Sequence, residues 1–171
     1  MEYYLIMADT EIPIAVSPFD IWDIKQDQAH KLPGRELLFF HGNSYTAFHD
    51  ILLQPFLLVS EKIQSVIALY EPDTVFTEIV LMDTFNELAE LYFCPELHEV
   101  DCLTEQSKLN PDHSVIKKVV IDASKIGDKK VFSLAGVQGL HVVGRRDFIE
   151  SVLCSDVQGL VLFPIETINK G

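Results

Sequence analysis

The sequence predicts a mixed α+β fold of largely antiparallel sheets, with two short amphipathic helices set in two similar strand-helix-strand units. Apolar runs of strand length recur between clusters of Gly, Pro, Asn and Asp. Two windows instead carry apolar residues at helical spacing. The 48% apolar and 10% aromatic content sets the chain apart from disordered sequences, and 171 residues suffice for a stand-alone core.

Residues 2–7 (EYYLIM) read as a first strand covered on both faces. Pro13, Pro18, Pro33 and Gly34 punctuate the next segment, so residues 1–50 are expected as an irregular N-terminal arm packed on an α+β domain of residues 51–171, or as part of one domain 1–171. Leu37 to Phe40 is a short strand closed by the turn formers His41, Gly42, Asn43 and Ser44. Ile63, Val66, Ile67 and Tyr70 place one apolar stripe on a helix that starts with Ser60 as N-cap and Glu61 in its first turn. Pro72 and Asp73 end it.

Residues 75–82 and 88–93 flank a turn at 83–87 and predict a β-hairpin. Pro95, the acidic residues to Glu105, and Asn110-Pro111-Asp112 predict a long connection and an internal boundary. A strand at 115–121, one helical turn at 122–126, and strands at 131–134 and 140–143 come next. Phe148, Ile149, Val152 and Leu153 predict the second helix, with Cys154 as a buried thiol near its apolar face. A final strand at 157–165 carries Pro164, which demotes its end to an edge. The segments beginning at Phe56 and Leu140 can be laid side by side at an offset of roughly 84 to 86 positions with few identities, which leaves an internal duplication open.

The net charge is −13, and its excess is confined to the first two thirds of the chain. Ten acids and no Lys or Arg lie between Lys62 and Lys108. Such a stretch repels nucleic acid and anionic membrane and attracts a basic partner, although solubility alone also accounts for surface acids. No apolar run is long enough for a membrane span. The N-terminus does not read as a secretory signal, and Cys94, Cys102 and Cys154 form no disulfide or zinc pattern, so a cytoplasmic location is expected.

No nucleophile elbow, Walker loop or dinucleotide fingerprint is present, and none of the six histidines has metal-ligand spacing. No cofactor, metal or catalytic set is expected, and the chain does not read as an enzyme. His41 and His49 beside Asp50 are the ingredients of a hydrolytic site, and His98-Glu99 near Cys94 and Cys102 is the nearest approach to a metal cluster. A loop of turn formers and surface polar residues accounts for the first more simply, and the spacing of the second matches no ligand frame. Arg145 and Arg146, a basic pair at a helix start, are expected to meet acids within the chain, with contact to a partner as the alternative.

Phe56-Leu-Leu-Val-Ser-Glu-Lys62 with its helix, Val131-Phe-Ser-Leu-Ala-Gly136, and Val142-Val-Gly-Arg-Arg-Asp-Phe148 leading to Gly159-Leu-Val-Leu-Phe-Pro164 carry a resemblance. On these motifs the chain resembles a family of bacterial immunity proteins, immunity protein eleven of polymorphic toxin systems, formerly a domain of unknown function. Gly144-Arg145 stands where that family opens its last helix with a serine and an acid. The resemblance implies stoichiometric binding and neutralisation of a cognate protein toxin. The residues expected to contact such a partner, one with a basic surface, are Glu87, Glu90, Glu96, Glu99, Asp101 and Glu105, with Trp22 and Tyr45 as aromatic anchors, and Phe19 and Phe48 beside them. The alternative is a small-molecule or regulatory binding domain using a cleft between the two units.

Overall fold

The computed structural model describes residues 1–9, 35–54, 56–111 and 116–169. Among these the chain forms thirteen strands and two α-helices, a mixed α+β fold. A five-stranded sheet has the order β2 (Arg35–Phe40), β5 (Phe76–Asp83), β6 (Leu88–Pro95), β4 (Leu58–Val59), β3 (Ile51–Leu52). A six-stranded sheet runs β10 (Val120–Asp122), β13 (Leu160–Ile168), β1 (Tyr3–Ala8), β12 (Val142–Arg145), β11 (Val131–Leu134), β7 (Glu99–Val100). A small ribbon pairs β8 (Lys108–Leu109) with β9 (Ile116–Lys118). Helix α1 (Glu61–Tyr70) follows β4 and α2 (Arg146–Leu153) follows β12.

The two sheets have one plan. In the first, β4 and β5 are joined through α1 and lie antiparallel on either side of β6; in the second, β12 and β13 are joined through α2 and lie antiparallel on either side of β1. Outside β5 runs β2, parallel, as β10 runs outside β13. Outside β4 runs β3, antiparallel, as β11 runs outside β12. The pairing registers make Ile79 equivalent to Ile165, Leu38 to Ile121, Ile51 to Val131 and Tyr92 to Tyr3. Both tyrosines are fully buried. In chain order these are two tandem repeats, β1 to β5 and β6 to β13, with β7 to β9 as additions to the second. Each repeat contributes its first strand to the other's sheet.

One core joins the repeats. Ile6, Val59, Ile63, Ile67, Val142 and Phe148 belong to a single buried cluster drawn from both sheets and both helices. The Tyr70 hydroxyl at the end of α1 donates to the Asp147 carbonyl of α2 at 3.0 Å, and its ring meets Phe148 edge-on at 5.7 Å. Gly144 leaves room there, because a Cβ would lie 2.7 Å from the Ile149 side chain. The far faces of the sheets have separate cores, one around Leu38, Phe40, Ile79 and Tyr92 and the other around Tyr3, Cys102, Ile121 and Phe132.

Glu71 clamps the repeats at a second point. Its largely buried carboxylate accepts from the Lys130 backbone N–H at 2.6 Å and pairs with Lys129 Nζ at 3.1 Å. Glu71→Ala is expected to cost about 1–2 kcal/mol by leaving that N–H without its acceptor, and Glu71→Gln to recover most of it. The urea midpoint of each variant at unchanged m-value measures this.

The expected strands at 2–7 and 37–40 are present as the interior strand β1 and the sheet edge β2, and the Pro-punctuated part of the expected arm between them lies outside the described residues. Other expectations need correcting. The expected connection at 95–112 is built into the second sheet, since β7 pairs with β11 and Cys102 is buried in its core. Ser60 takes the extended N-cap conformation, but its hydroxyl makes no capping bond. Leu153 and Cys154 are exposed, because α2 ends as they turn off its buried stripe of Phe148, Ile149 and Val152. The final strand runs from Leu160 to Ile168 instead of 157–165. At Pro164 only β1 pairs with it, because β10 joins the other flank from Glu166 onward, so the proline sits at an edge position as expected.

Candidate interaction surface

The apolar residues of the first sheet are more than its core uses. Strands β2, β5 and β6 carry apolar side chains at both parities, and directly paired residues point to the same face. One face holds Leu38, Phe40, Ile79, Leu81 and Tyr92, all buried. On the other, Phe76 and Phe93 pack into the shared core. Beyond them the rows Leu37–Val80–Leu91 and Phe39–Met82–Ala89 continue, with Leu37, Leu91, Phe39 and Ala89 exposed. Leu37 is 46% exposed, Phe39 41% and Leu91 44%. The Arg35–Glu78 ion pair bounds this apolar face on one side.

Its other boundary is a rigid tip. Asp83 is fully buried, and its carboxylate accepts from the N–H groups of Gly42 at 2.9 Å and Phe85 at 2.8 Å, from Asn86 N–H at 3.3 Å, and from the Asn86 side chain at 2.5 Å. Burial pushes the Asp83 pKa up, but the bonds from Asn86, Gly42 and Phe85 outweigh it and hold the carboxyl below its ordinary range. Glycine is required at position 42, since a Cβ would lie 2.2 Å from the Asp83 oxygen. Asn86 Nδ2 also donates to the Asn43 carbonyl at 3.0 Å, and His41 stacks edge-on against Phe85 at 5.5 Å. The loop at 41–46 and the β5–β6 turn are thereby one unit. It presents Tyr45, 74% exposed, and Phe85 and Leu88, both more than half exposed.

The structure divides the acidic residues expected to bind a partner. Glu87 lies in the tip, in the left-handed region with φ 54°, and Glu90 lies in β6 close to it. Glu96, Glu99, Asp101 and Glu105 lie past the other end of β6, which at ~3.3 Å per residue puts Glu96 about 30 Å along the chain path from Glu87. All six are exposed. Tyr45 joins Glu87 at the tip; Trp22 and Phe19 fall outside the described residues. Phe48 is not an exposed anchor, because its ring packs edge-on against Phe40 at 5.9 Å beside Tyr92. Leu37, Phe39, Val80, Met82 and Leu91 were not singled out by the sequence. Their signal is the double-parity apolar pattern, which a strand buried on both faces shares.

The remaining candidates are built into the fold. Arg145 pairs with Asp147 at the start of α2, and Arg146 with Glu150 and Glu2, all at 2.8 Å or less. His49 is buried with neither ring nitrogen hydrogen-bonded, its ring against Gly159, where an added Cβ would lie 2.8 Å from it. The neighbouring Asp50 carboxylate accepts from the Gln158 N–H at 2.7 Å, and His41 is exposed at the tip. Cys94 and Cys102 belong to the cores of different sheets, where burial pushes each thiol up to about 11. Among the described residues no three His, Cys, Asp or Glu groups converge to hold a metal, and no helix is long and apolar enough to cross a membrane. The gap between the repeats, lined by Ile6, Val59, Ile67, Val131 and Phe148 among others, is apolar and about 20 Å³ in volume. A space of that size admits no metabolite.

No protein-family model matches the chain, and no curated protein matches its sequence.

Proposed function

We propose that this chain is a binding protein acting in the cytoplasm, an immunity protein that neutralises a cognate bacterial toxin by stoichiometric association. The observation that carries the reading is the uncovered apolar face of the first sheet, set beside a rigid tip with solvent-facing Tyr45 and Phe85. Exposed apolar side chains that share one surface, rimmed by polar groups, are what a protein interface needs. Well-anchored aromatics supply most of the binding energy in such surfaces. The acidic charge steers a basic partner toward it and raises the association rate.

The test is to mix the protein with the product of the neighbouring gene and follow complex formation by size exclusion and loss of that product's toxicity. A 1:1 complex is expected. Glu87→Lys with Glu90→Lys should slow association about tenfold at low salt, with the effect shrinking as salt is added. The triple reversal of Glu96, Glu99 and Asp101 to Lys should slow it less, because those acids lie at the far end of β6. Absence of a complex would remove the proposal.

A further inference from the structure

The repeats provide an internal control for the edge of the first sheet. Edge strand β10 of the second repeat is only three residues long, and residues 102–104 cover it through a Leu103–Ile121 bridge, Asp122 N–H to the Cys102 carbonyl, and Thr104 N–H to the Val120 carbonyl. Its equivalent β2 is six residues long, pairs with β5 on one side, and has no strand on the other among the described residues. The faces differ in the same sense. The pair Leu37–Val80 is equivalent to Val120–Glu166, where Val120 is fully buried and Glu166 is ion-paired with Lys118 at 2.7 Å. One copy of the edge is short, capped and polar-faced; the other is long, apolar-faced and, among the described residues, open.

We infer that β2 is a strand-addition site, at which an extended segment of the partner protein, alternating apolar and basic side chains, hydrogen-bonds to the outer edge of Arg35–Phe40 and extends the Leu37–Val80–Leu91 and Phe39–Met82–Ala89 rows. This rests on the binding function proposed above and specifies its mode. An open edge offers unpaired N–H and C=O groups at alternate residues, so the main chain supplies affinity and the alternating side chains supply specificity. The basic character follows from charge complementarity: Glu87 at the tip and Glu90 in β6 are exposed without a Lys or Arg near them in the chain, and Glu36 lies in β2 itself. A second copy of this chain is disfavoured as the occupant because each copy carries a net charge of −13.

Amide hydrogen exchange of the full chain tests this with a capped peptide of alternating Lys and Val as probe. The peptide is expected to slow exchange at least tenfold at the alternate amides of residues 35–40 that face away from β5, an equal length of alternating Glu and Val to leave it unchanged, and Leu37→Asp with Phe39→Asp to abolish the effect. Both substitutions replace exposed side chains, so circular dichroism should show the fold intact. Unchanged exchange at 35–40 with the Lys-Val peptide overturns the inference. Slow exchange of those outward amides in the free protein also overturns it, assigning the edge to a second copy if it depends on concentration and to another segment of the same chain if it does not. A complex with the neighbouring gene product that survives Leu37→Asp with Phe39→Asp leaves the binding function standing and removes β2 as its mode.

Discussion

Phe148→Ala is expected to destabilise the whole chain by about 3–5 kcal/mol, in a single unfolding transition. Phe148 is fully buried in the cluster to which both sheets and both helices contribute, and its ring is the edge-on partner of Tyr70 on the other helix. It also borders the apolar gap of about 20 Å³ between the repeats. Truncation enlarges that gap, and its apolar walls give a water molecule no hydrogen-bond partner, so the void stays empty and its full cost is felt. For a chain of this size the midpoint temperature should fall on the order of 10 °C. Thermal unfolding followed by far- and near-ultraviolet circular dichroism checks both parts of the expectation. Two separated transitions, with only one displaced by the substitution, would mean that the repeats do not share a cooperative core.

Asp83→Ala is expected to cost about 2–4 kcal/mol and to abolish partner binding with it. The substitution removes the acceptor for three backbone N–H groups and the Asn86 side chain, in a place where water does not reach the carboxylate. The loop that carries Tyr45 then loses its tie to the β5–β6 turn. Because the folded-state pKa is lowered, the carboxylate's contribution is fully present above the unfolded value of ~4 and is lost as the pH falls below it through the folded value. Acidification should therefore loosen the tip. Proton NMR of the Gly42, Phe85 and Asn86 amides between neutral pH and pH 2 measures this, and chemical shifts independent of pH across that range would sink it.

The sequence was most legible where local chemistry sufficed. The stripe at Ile63, Val66 and Ile67 and the turn formers between β5 and β6 specify an element from a dozen neighbouring residues. Pairing was hidden because it is set over long separations. Nothing near Tyr3 indicates that its neighbours are Arg145 and Ile165. The likeness of the repeats is similarly faint in sequence, because it is held by register: Ile79 and Ile165 do the same work in different local contexts. The candidate surface was half legible. Charge named Glu87 and Glu90, and turn chemistry placed Tyr45 in a loop; only the structure shows which apolar face of the hairpin is covered.

The exchange of first strands fixes an order of assembly during synthesis. The first sheet has all its strands once Pro95 has emerged from the ribosome, and β6 can seat between β4 and β5 while translation continues. Strand β1 leaves the ribosome before any of these, yet its two flanking strands end at Arg145 and Ile168. At ribosomal speeds of ~5–20 residues per second, the apolar segment Tyr3–Ala8 waits about ten to thirty seconds for its place to exist. During that interval a nascent chain holds one finished sheet and one orphan strand. A stop before Val142 makes the condition permanent, and such a truncation is headed for aggregation rather than for a smaller working protein.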